Sequence, residues 1–191
     1  MSFIIGIVGE NGGGKDSLAI AIRSCRPDLT IDVFKSSDIL RDTLRMWGIE
    51  PTREHLQALP VAMENTYSKG VLSKAVGGLM HASTAQVVIY NGVRWMSDVE
   101  MIKSFDHHLL VYVTADPELR FERLRARNEK PGEEGMSYEQ FLQEELAPTE
   151  KEIPKIGMTA DFSMENNGTK EAFSGQVRSF CDQFLTADKM A

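Results

Sequence analysis

Short apolar runs alternate along the chain with segments in which apolar residues recur every three or four positions. The runs at residues 3–8, 30–34, 86–90 and 109–113 are rich in branched apolar residues, which is typical of strands buried on both faces of a parallel sheet. A weaker run at residues 161–164 predicts a final strand. Because strands and helical segments alternate, the pattern predicts an α/β protein with a doubly wound, five-stranded parallel sheet and helices on both faces.

The helical segments differ in how clearly their ends are marked. Asp116 and Pro117 precede an acidic first turn, which predicts a helix over residues 117–127. Residues 52–81 show helical spacing without strand signals, so they predict one or two helices that Pro60 breaks or offsets. Residues 128–148 contain prolines, glycines and several glutamates and predict a mobile insertion outside the core. An amphipathic pattern over residues 173–185 predicts a C-terminal helix.

The strongest chemical signal is the sequence GENGGGK at residues 9–15, which fits the pattern G-x-x-x-x-G-K between a predicted strand and a predicted helix. Glycines let successive backbone N–H groups surround an anion, the helix N-terminus adds partial positive charge, and Lys15 can reach the β and γ phosphates. The loop therefore predicts an ATP site. Its predicted residues are Gly9, Asn11, Gly12, Gly13, Gly14, Lys15, Asp16 and Ser17.

Composition limits the other functions. The 191 residues carry a formal net charge of −7, which argues against general binding of nucleic acid or anionic membranes. No apolar run is long enough to span a membrane, so we expect one cytoplasmic domain. Cys25 and Cys181 stand far apart in the sequence, each within an apolar periodic segment, and are expected to be reduced packing residues.

Two positions differ from a standard P-loop at its metal site. Asp16 stands where a Ser or Thr hydroxyl ligates Mg²⁺, and Ser17 follows one residue later. Asn91 ends a strand where many P-loop enzymes carry a magnesium-binding aspartate. Asp16 either caps the helix or holds the metal, and the two interpretations stand equal. We hypothesise that the metal-site charge has moved from the strand to the loop, with Asp16, Ser17 and Asn91 as the predicted Mg²⁺ ligands.

Several short motifs follow the loop in order. Residues 38–41 read DILR, residues 91–94 read NGVR, residues 123–127 read RLRAR, and residues 160–169 read ADFSMENNGT. With the loop, they make nearly the whole chain resemble the P-loop nucleoside and nucleotide kinases, especially the dephospho-CoA-kinase-like and archaeal nucleotide-kinase-like branches. The lysine-aspartate pair after the loop glycines is also similar to some phage deoxynucleoside monophosphate kinases.

The resemblance implies a site. Arg41 and Arg94 would bind the acceptor, and Asp38 would orient it or accept its proton. Arg123 and Arg127 would bind phosphates beside Lys15, which makes Lys15, Asp38, Arg123 and Arg127 the predicted catalytic residues. For any single arginine, an ordinary charged helix face is an equal alternative, and Asp38 is alternatively a helix N-cap. Asn167 is expected near the ATP adenine.

The resemblance also implies an organisation and a reaction. A single P-loop kinase domain would have its core in residues 1–37, 83–127 and 149–191, an acceptor-binding helical region at 38–82 and a lid at 128–148. We expect ATP- and Mg²⁺-dependent phosphoryl transfer to a small nucleotide-like acceptor, most plausibly a (deoxy)nucleoside monophosphate. Dephospho-CoA is the alternative acceptor, and a nucleotide-binding regulatory protein without turnover is the alternative class. Partial core burial is the preferred interpretation of Trp47, Trp95 and Tyr67 over base stacking.

Overall fold

The fold is built on one sheet of five parallel strands. We describe it from a computed structural model, which covers residues 2–127, 135–186 and 189. The spatial order of the strands is β2-β3-β1-β4-β5. The strands are β1 (Phe3–Val8), β2 (Ile31–Phe34), β3 (Val87–Val93), β4 (His108–Thr114) and β5 (Phe162–Glu165). All neighbouring strands pair in parallel, which confirms the predicted fold class.

Helices connect the strands and cover the sheet. Within the described residues they are α1 (Lys15–Cys25), α2 (Ser36–Met46), α3 (Arg53–Thr66), α4 (Val71–Ala82), α5 (Met96–Lys103), α6 (Pro117–Arg127), α7 (Tyr138–Glu145), α8 (Ile153–Gly157) and α9 (Lys170–Phe184). None of the described helices is long and apolar enough to cross a membrane.

Two apolar layers hold the helices on opposite faces of the sheet. Alternate residues of β1 face opposite sides, as strand geometry requires. Ile5 packs in one layer with Leu18 of α1 and Phe180 of α9. Ile4 packs in the other layer with side chains of α4, α5 and α8, among them Ile102. β1 is apolar along its whole length because each of its faces is buried against one of the two apolar layers.

The central strand determines where a ligand can bind. β1 pairs with β3 on one side and with β4 on the other. The connection that follows β1 leads to β2 on one side, whereas the connection that follows β4 leads to β5 on the other. This reversal opens a crevice at the carboxyl ends of β1 and β4. The GENGGGK loop follows β1 at this edge, Lys35 follows β2, and Asn91 lies near the end of β3.

Two expectations about helix boundaries are wrong. Pro60 lies inside α3 and is buried, so it does not break the helix. A proline removes one helical hydrogen bond, and here the helix begins at the side-chain cap of Thr52 and continues to Thr66. Asp38 is not an N-cap, because α2 already begins at Ser36. The sequence 52–81 forms the two helices α3 and α4.

Part of the predicted lid has a core of its own. Residues 128–134 lie outside the described residues, but α7 packs on α6 through Leu124, Met136 and Phe141. Phe141 is only 1% exposed, and its ring lies near those of Phe121 and Tyr138. The expectation that this segment contributes nothing to a core is therefore wrong for α7.

The two cysteines are neighbours although 156 positions of sequence separate them. Both are free, as expected. Cys25 ends α1, Cys181 is fully buried in α9, and burial together with the adjacent Cys25 raises the pKa of Cys181 to about 12. A thiol with so high a pKa is a poor nucleophile, so the structure agrees with a packing role.

Candidate active site

The GENGGGK loop approaches the neighbouring backbone closely. A Cβ on Gly9 would lie 2.1 Å from the carbonyl oxygen of Val113, so only glycine fits there. Gly14 caps α1 in the left-handed conformation, with φ of 112° and no side-chain hydrogen bond to the helix. The first N–H groups of α1 therefore have no side-chain cap, and an open helix N-terminus of this kind binds anions.

Lys15 begins α1 and points back into the loop. Its Nζ donates to the carbonyl oxygens of Gly9 at 2.6 Å and Glu10 at 2.8 Å. Desolvation and the nearby charge of Arg94 lower the pKa of Lys15 to about 8, although neighbouring carboxylates act in the opposite direction. A phosphate group would bind this ammonium more strongly than the two carbonyl oxygens do, because charge-assisted hydrogen bonds to anions are stronger than those to carbonyls.

Asp16 is bound by two side chains from neighbouring strand ends. The Lys35 ammonium donates to Asp16 Oδ1, and Asn91 Nδ2 donates to the same oxygen at 2.8 Å. Partial burial acts to raise the pKa of Asp16, but Lys35 and Asn91 hold it below its usual value. Gly14 and not Asp16 is the N-cap of α1, but Asp16 lies in the first turn, where the helix dipole favours a negative charge.

This arrangement differs from the donor set of a magnesium ion. Mg²⁺ takes oxygen ligands in an octahedron. Here Asp16 Oδ1 already accepts two hydrogen bonds, and Asn91 presents its NH₂ group because a carboxylate can only accept. Ser17 is exposed. Within residues 2–127 and 135–186, no three His, Cys, Asp or Glu side chains form a metal-binding group. As they are arranged, these residues do not fit Mg²⁺, and the three predicted metal ligands stay a prediction.

Two arginines of α6 contact the loop and the segment that braces it. Arg120 is buried, forms an ion pair with Glu145 of α7, and donates to Ala115 and Asn11 carbonyl oxygens. Arg123 donates from Nη2 to the carbonyl oxygen of Asn166 at 2.8 Å. Its buried Nη1 has no hydrogen-bond partner among the described residues. A buried guanidinium N–H without an acceptor costs free energy. A phosphate oxygen would be a suitable acceptor for the Nη1 group of Arg123.

The other two arginines of α6, Arg125 and Arg127, are exposed to solvent. Arg127 is the last residue of α6 and is exposed. Arg125 is also exposed, and its guanidinium lies 5.5 Å from the centre of the Phe121 ring. The phosphate-binding role of Arg127 stays a prediction.

Arg94 is held by the segment between α7 and α8. Its Nη1 donates to the carbonyl oxygen of Thr149 at 3.2 Å and forms an ion pair with Glu150. The charges of Arg94 and Glu150 both act on Lys15. Arg94 is thus near the loop lysine, as an acceptor-binding residue would have to be.

Two carboxylates beside the loop are incompletely satisfied. Glu10 accepts a hydrogen bond from the Tyr112 hydroxyl, and burial together with this carboxylate raises the pKa of Tyr112 to about 12. In the part of the chain that the structure covers, Glu10 Oε2 and Glu150 Oε2 are buried without a partner. Both residues line a pocket of about 220 Å³ together with Arg120, Glu145, Leu146, Lys151, Ile153 and Pro154.

The predicted acceptor residues Asp38 and Arg41 pair with each other. Arg41 Nη1 lies 2.7 Å from Asp38 Oδ1, and both side chains are exposed. This is a weak surface ion pair that a ligand can exchange. Trp47 is 55% and Tyr67 is 70% exposed, so the preferred interpretation of these rings as partly buried core is wrong. Trp95 is half-buried.

Asn166, which the sequence analysis did not select, braces the loop. Its Nδ2 donates to the carbonyl oxygen of Gly13 at 3.0 Å. Asn167 instead exchanges two hydrogen bonds with Asp116, at 2.8 and 3.1 Å, and its adenine-binding role stays a prediction. The motif ADFSMENNGT could have indicated Asn166. Asn166 is the first residue of an N-x-G pattern that ends at Gly168.

Lys35, Glu10 and Glu150 are the other functional candidates that sequence reasoning missed. Lys35 follows a short strand, and Glu150 follows an irregular segment. Neither lies in a pattern that indicates chemistry. Glu10 stands at a variable position of the loop motif. Their relevance comes from contacts with Asp16, Arg94 and Tyr112.

The sheet order and the glycine loop at the end of β1 define a P-loop kinase-like α/β protein. A shikimate kinase from Bacteroides thetaiotaomicron matches with a TM-score of 0.64 at 14% identity, covering 96% of this chain and 99% of its own. A gluconokinase from Sinorhizobium meliloti matches with a TM-score of 0.55 at 15% identity, covering 95% and 92%. At these identities the similarity shows the fold alone.

In sequence, the chain is similar to UPF0200 proteins of archaea. The protein from Hyperthermus butylicus is 29% identical over 175 residues, which cover 92% of this chain and 91% of that protein. The one from Staphylothermus marinus is 28% identical over 175 residues, covering 91% and 88%. Their names specify no activity. No protein-family profile matches the chain, and nothing in these similarities singles out the dephospho-CoA-kinase-like branch.

Proposed function

We propose that this protein transfers the γ-phosphoryl group of ATP to a small acceptor molecule. The observation that carries the proposal is the buried Nη1 of Arg123, which has no hydrogen-bond partner among the residues that the structure describes and lies at the segment that braces the P-loop. A mere glycine turn between a strand and a helix needs neither this guanidinium nor Lys15. Phosphoryl transfer needs both, because its rate depends on positioning and on neutralising charge on the phosphate oxygens.

The residues divide into a donor side and an acceptor side. On the donor side, the N–H groups at the start of α1, Lys15 and Arg123 bind phosphate oxygens, with Arg127 as a further candidate. On the acceptor side, Arg94 lies near Lys15, while Arg41 and Asp38 would exchange their mutual ion pair for the acceptor. The α7–α8 segment binds Arg120 through Glu145 and Arg94 through Glu150, and in this proposal it would exclude water from the reacting groups.

For the acceptor, we propose a nucleotide-like molecule, with a (deoxy)nucleoside monophosphate before dephospho-CoA. Two arginines on the acceptor side support an anionic acceptor, because guanidinium groups bind phosphate in a forked geometry. The exposed Trp47 and Tyr67 rings of the helical region 38–82 could stack on a base. The domain organisation predicted from the sequence, with this region and a lid at 128–148, is part of the proposal.

A second candidate is a nucleotide-binding protein without turnover. The observation that favours it is the neutral Asn91 beside an Asp16 carboxylate already paired with Lys35. Such a protein would bind ATP through the loop but would transfer phosphate no faster than the background reaction.

The first experiment measures phosphoryl transfer from radiolabelled ATP with Mg²⁺ to a panel of acceptors. The panel contains nucleoside and deoxynucleoside monophosphates, dephospho-CoA, shikimate and gluconate. We expect transfer to one class of acceptor and a loss of at least about a hundredfold in Lys15→Ala, since one phosphate contact in the transition state contributes several kcal/mol. Lys69→Ala, which removes an exposed lysine, is the matched control.

Each alternative has its own result. Lys15-dependent ATP binding without transfer to any acceptor supports the nucleotide-binding protein. Absence of ATP binding in the wild-type protein refutes both candidates.

A further inference from the structure

Lys35 stands where a P-loop kinase normally has a metal ion. The metal of such an enzyme lies between the residue after the loop lysine and the end of the neighbouring strand. In this chain those positions are Asp16 and Asn91. The Lys35 ammonium binds Asp16 Oδ1, and Asn91 binds the same oxygen. The three side chains come from α1, the end of β2 and the end of β3, so the fold itself brings them together.

The charges of this cluster differ from those of a metal site. A standard site combines a neutral hydroxyl, one aspartate and a divalent cation. Here the strand-end residue is neutral, and the negative charge of Asp16 is balanced by the positive charge of Lys35. The cluster is therefore neutral without a metal ion, and Lys15 adds a positive charge for the phosphates. The Lys35 side chain is 36% exposed, so its ammonium remains accessible to a ligand.

The geometry also gives Asp16 a role other than that of a metal ligand. A lysine side chain is long and flexible and loses rotamer entropy when it is fixed. The hydrogen bond to Asp16 holds the Lys35 ammonium at the mouth of the loop, and Asn91 in turn orients the Asp16 carboxylate. A magnesium ion bound to the same carboxylate oxygen would have to displace both partners.

We propose that the Lys35 ammonium, positioned by Asp16 and Asn91, takes the place of the divalent cation in binding the phosphates of ATP. The inference rests on the proposed function, because it assumes that the loop binds ATP. It adds that the binding of ATP does not require Mg²⁺ and that Lys35 is the residue responsible. It assigns no step of the reaction to a metal.

Calorimetric titration with ATP, in excess Mg²⁺ and in excess EDTA, tests the proposal without a measurement of activity. For the wild-type protein we expect the two dissociation constants to agree within about threefold. Lys35→Met should weaken binding in EDTA by at least about tenfold, which is the loss of one charge-assisted hydrogen bond. In the same variant Mg²⁺ should restore part of the affinity, because the Asp16 carboxylate has lost its cation.

Two further variants control for structural effects. Lys35→Arg keeps the charge and should bind ATP in EDTA nearly as well as the wild-type protein. Lys69→Met removes an exposed lysine and should change neither dissociation constant. If Lys35→Met does not fold, Lys35→Gln, which keeps a polar side chain without the charge, replaces it with the same expected loss.

The outcomes separate this inference from the proposed function. A wild-type protein that binds ATP at least about tenfold more tightly with Mg²⁺ overturns the role of Lys35 and leaves the kinase proposal intact. An unchanged affinity of Lys35→Met in EDTA does the same. A wild-type protein that binds ATP under neither condition overturns both.

Discussion

At the scale of single residues, the charge of Lys15 depends on its surroundings in the loop. Desolvation and Arg94 lower its pKa to about 8, so in the free protein this side chain loses its charge within an accessible pH range. Bound phosphates favour the charged ammonium. The pKa in the complex is therefore higher than in the free protein, and ATP binding above pH 8 requires the uptake of a proton.

This linkage predicts that ATP affinity falls as the pH rises above 8. The slope should approach about tenfold per pH unit, the limit for one proton, until the pKa of the complex is reached. Calorimetry in two buffers of different ionisation enthalpy measures the proton uptake directly. Lys15→Arg stays charged throughout and should remove the dependence on pH. A wild-type affinity that is constant between pH 7.5 and 9.5 would contradict the prediction.

The same scale shows what the sequence could indicate about the site. Gly9, Gly14 and Lys15 belong to a local motif, and each has a physical reason to be that residue, so a pattern of seven positions was enough to find them. Lys35 and Glu150 could not be found in this way. Their partners Asp16 and Arg94 are 19 and 56 positions away, and such contacts depend on which strands become neighbours.

At the scale of elements, α7 is attached to the molecule by few side chains. Phe141 contributes the most deeply buried ring of its cluster, while the neighbouring Leu142 is 40% exposed. Arg53 of α3 also reaches α7, through an ion pair with Glu144 at 2.7 Å, but half-exposed ion pairs contribute little. The apolar cluster and the ion pair of Glu145 with the buried Arg120 therefore hold α7 in place, and the cluster supplies its apolar contacts.

We expect Phe141→Ala to release α7 from α6. Removal of a buried ring costs about 3 kcal/mol or more, and Tyr138, the other ring that α7 contributes to the cluster, is only partly buried. Hydrogen exchange of residues 138–145 should become faster, while the amides of β1 and β3 remain protected. Leu142→Ala is the matched control and should leave the exchange of α7 nearly unchanged. Equal effects of the two substitutions would show that the cluster does not hold the helix.

Elements were predictable to different degrees. The strands beside β1 were clear because both of their faces are buried, so their sequences are continuously apolar. β5 is an edge strand of four residues with two exposed side chains, and its pattern is correspondingly weak. The prediction at Pro60 was wrong because it used only the local effect of proline, which opposes helix formation. In the structure Pro60 is buried within a helix of 14 residues, and its packing overrides that effect.

At the scale of the whole molecule, the two apolar layers share one sheet. The helical region 38–82 contributes α4 to the same layer as α5 and α8, through Val76 and Met80. It therefore cannot separate without exposing part of the central core. We infer one cooperative unit for folding, and the single domain predicted from the sequence stays a prediction.

This organisation predicts a single unfolding transition in urea. Circular dichroism and the fluorescence of Trp47 and Trp95 should give the same midpoint, although the two rings lie in different parts of the fold. ATP at a hundred times its dissociation constant should raise the free energy of unfolding by about 2.7 kcal/mol. Lys15→Ala should abolish this increase. Two separate midpoints would instead identify the helical region as an independent unit.

The hydrogen bond from Asn166 to Gly13 spans 153 positions of sequence and carries a consequence for the order of folding. A ribosome releases the glycine loop long before it releases the segment after β5, and chains begin to fold from the N-terminal side. Until β5 has docked beside β4, the loop lacks this brace and Arg123 lacks its carbonyl partner. Nucleotide affinity is then acquired late in folding, so that an immobilised nucleotide would retain finished chains and let incomplete ones pass.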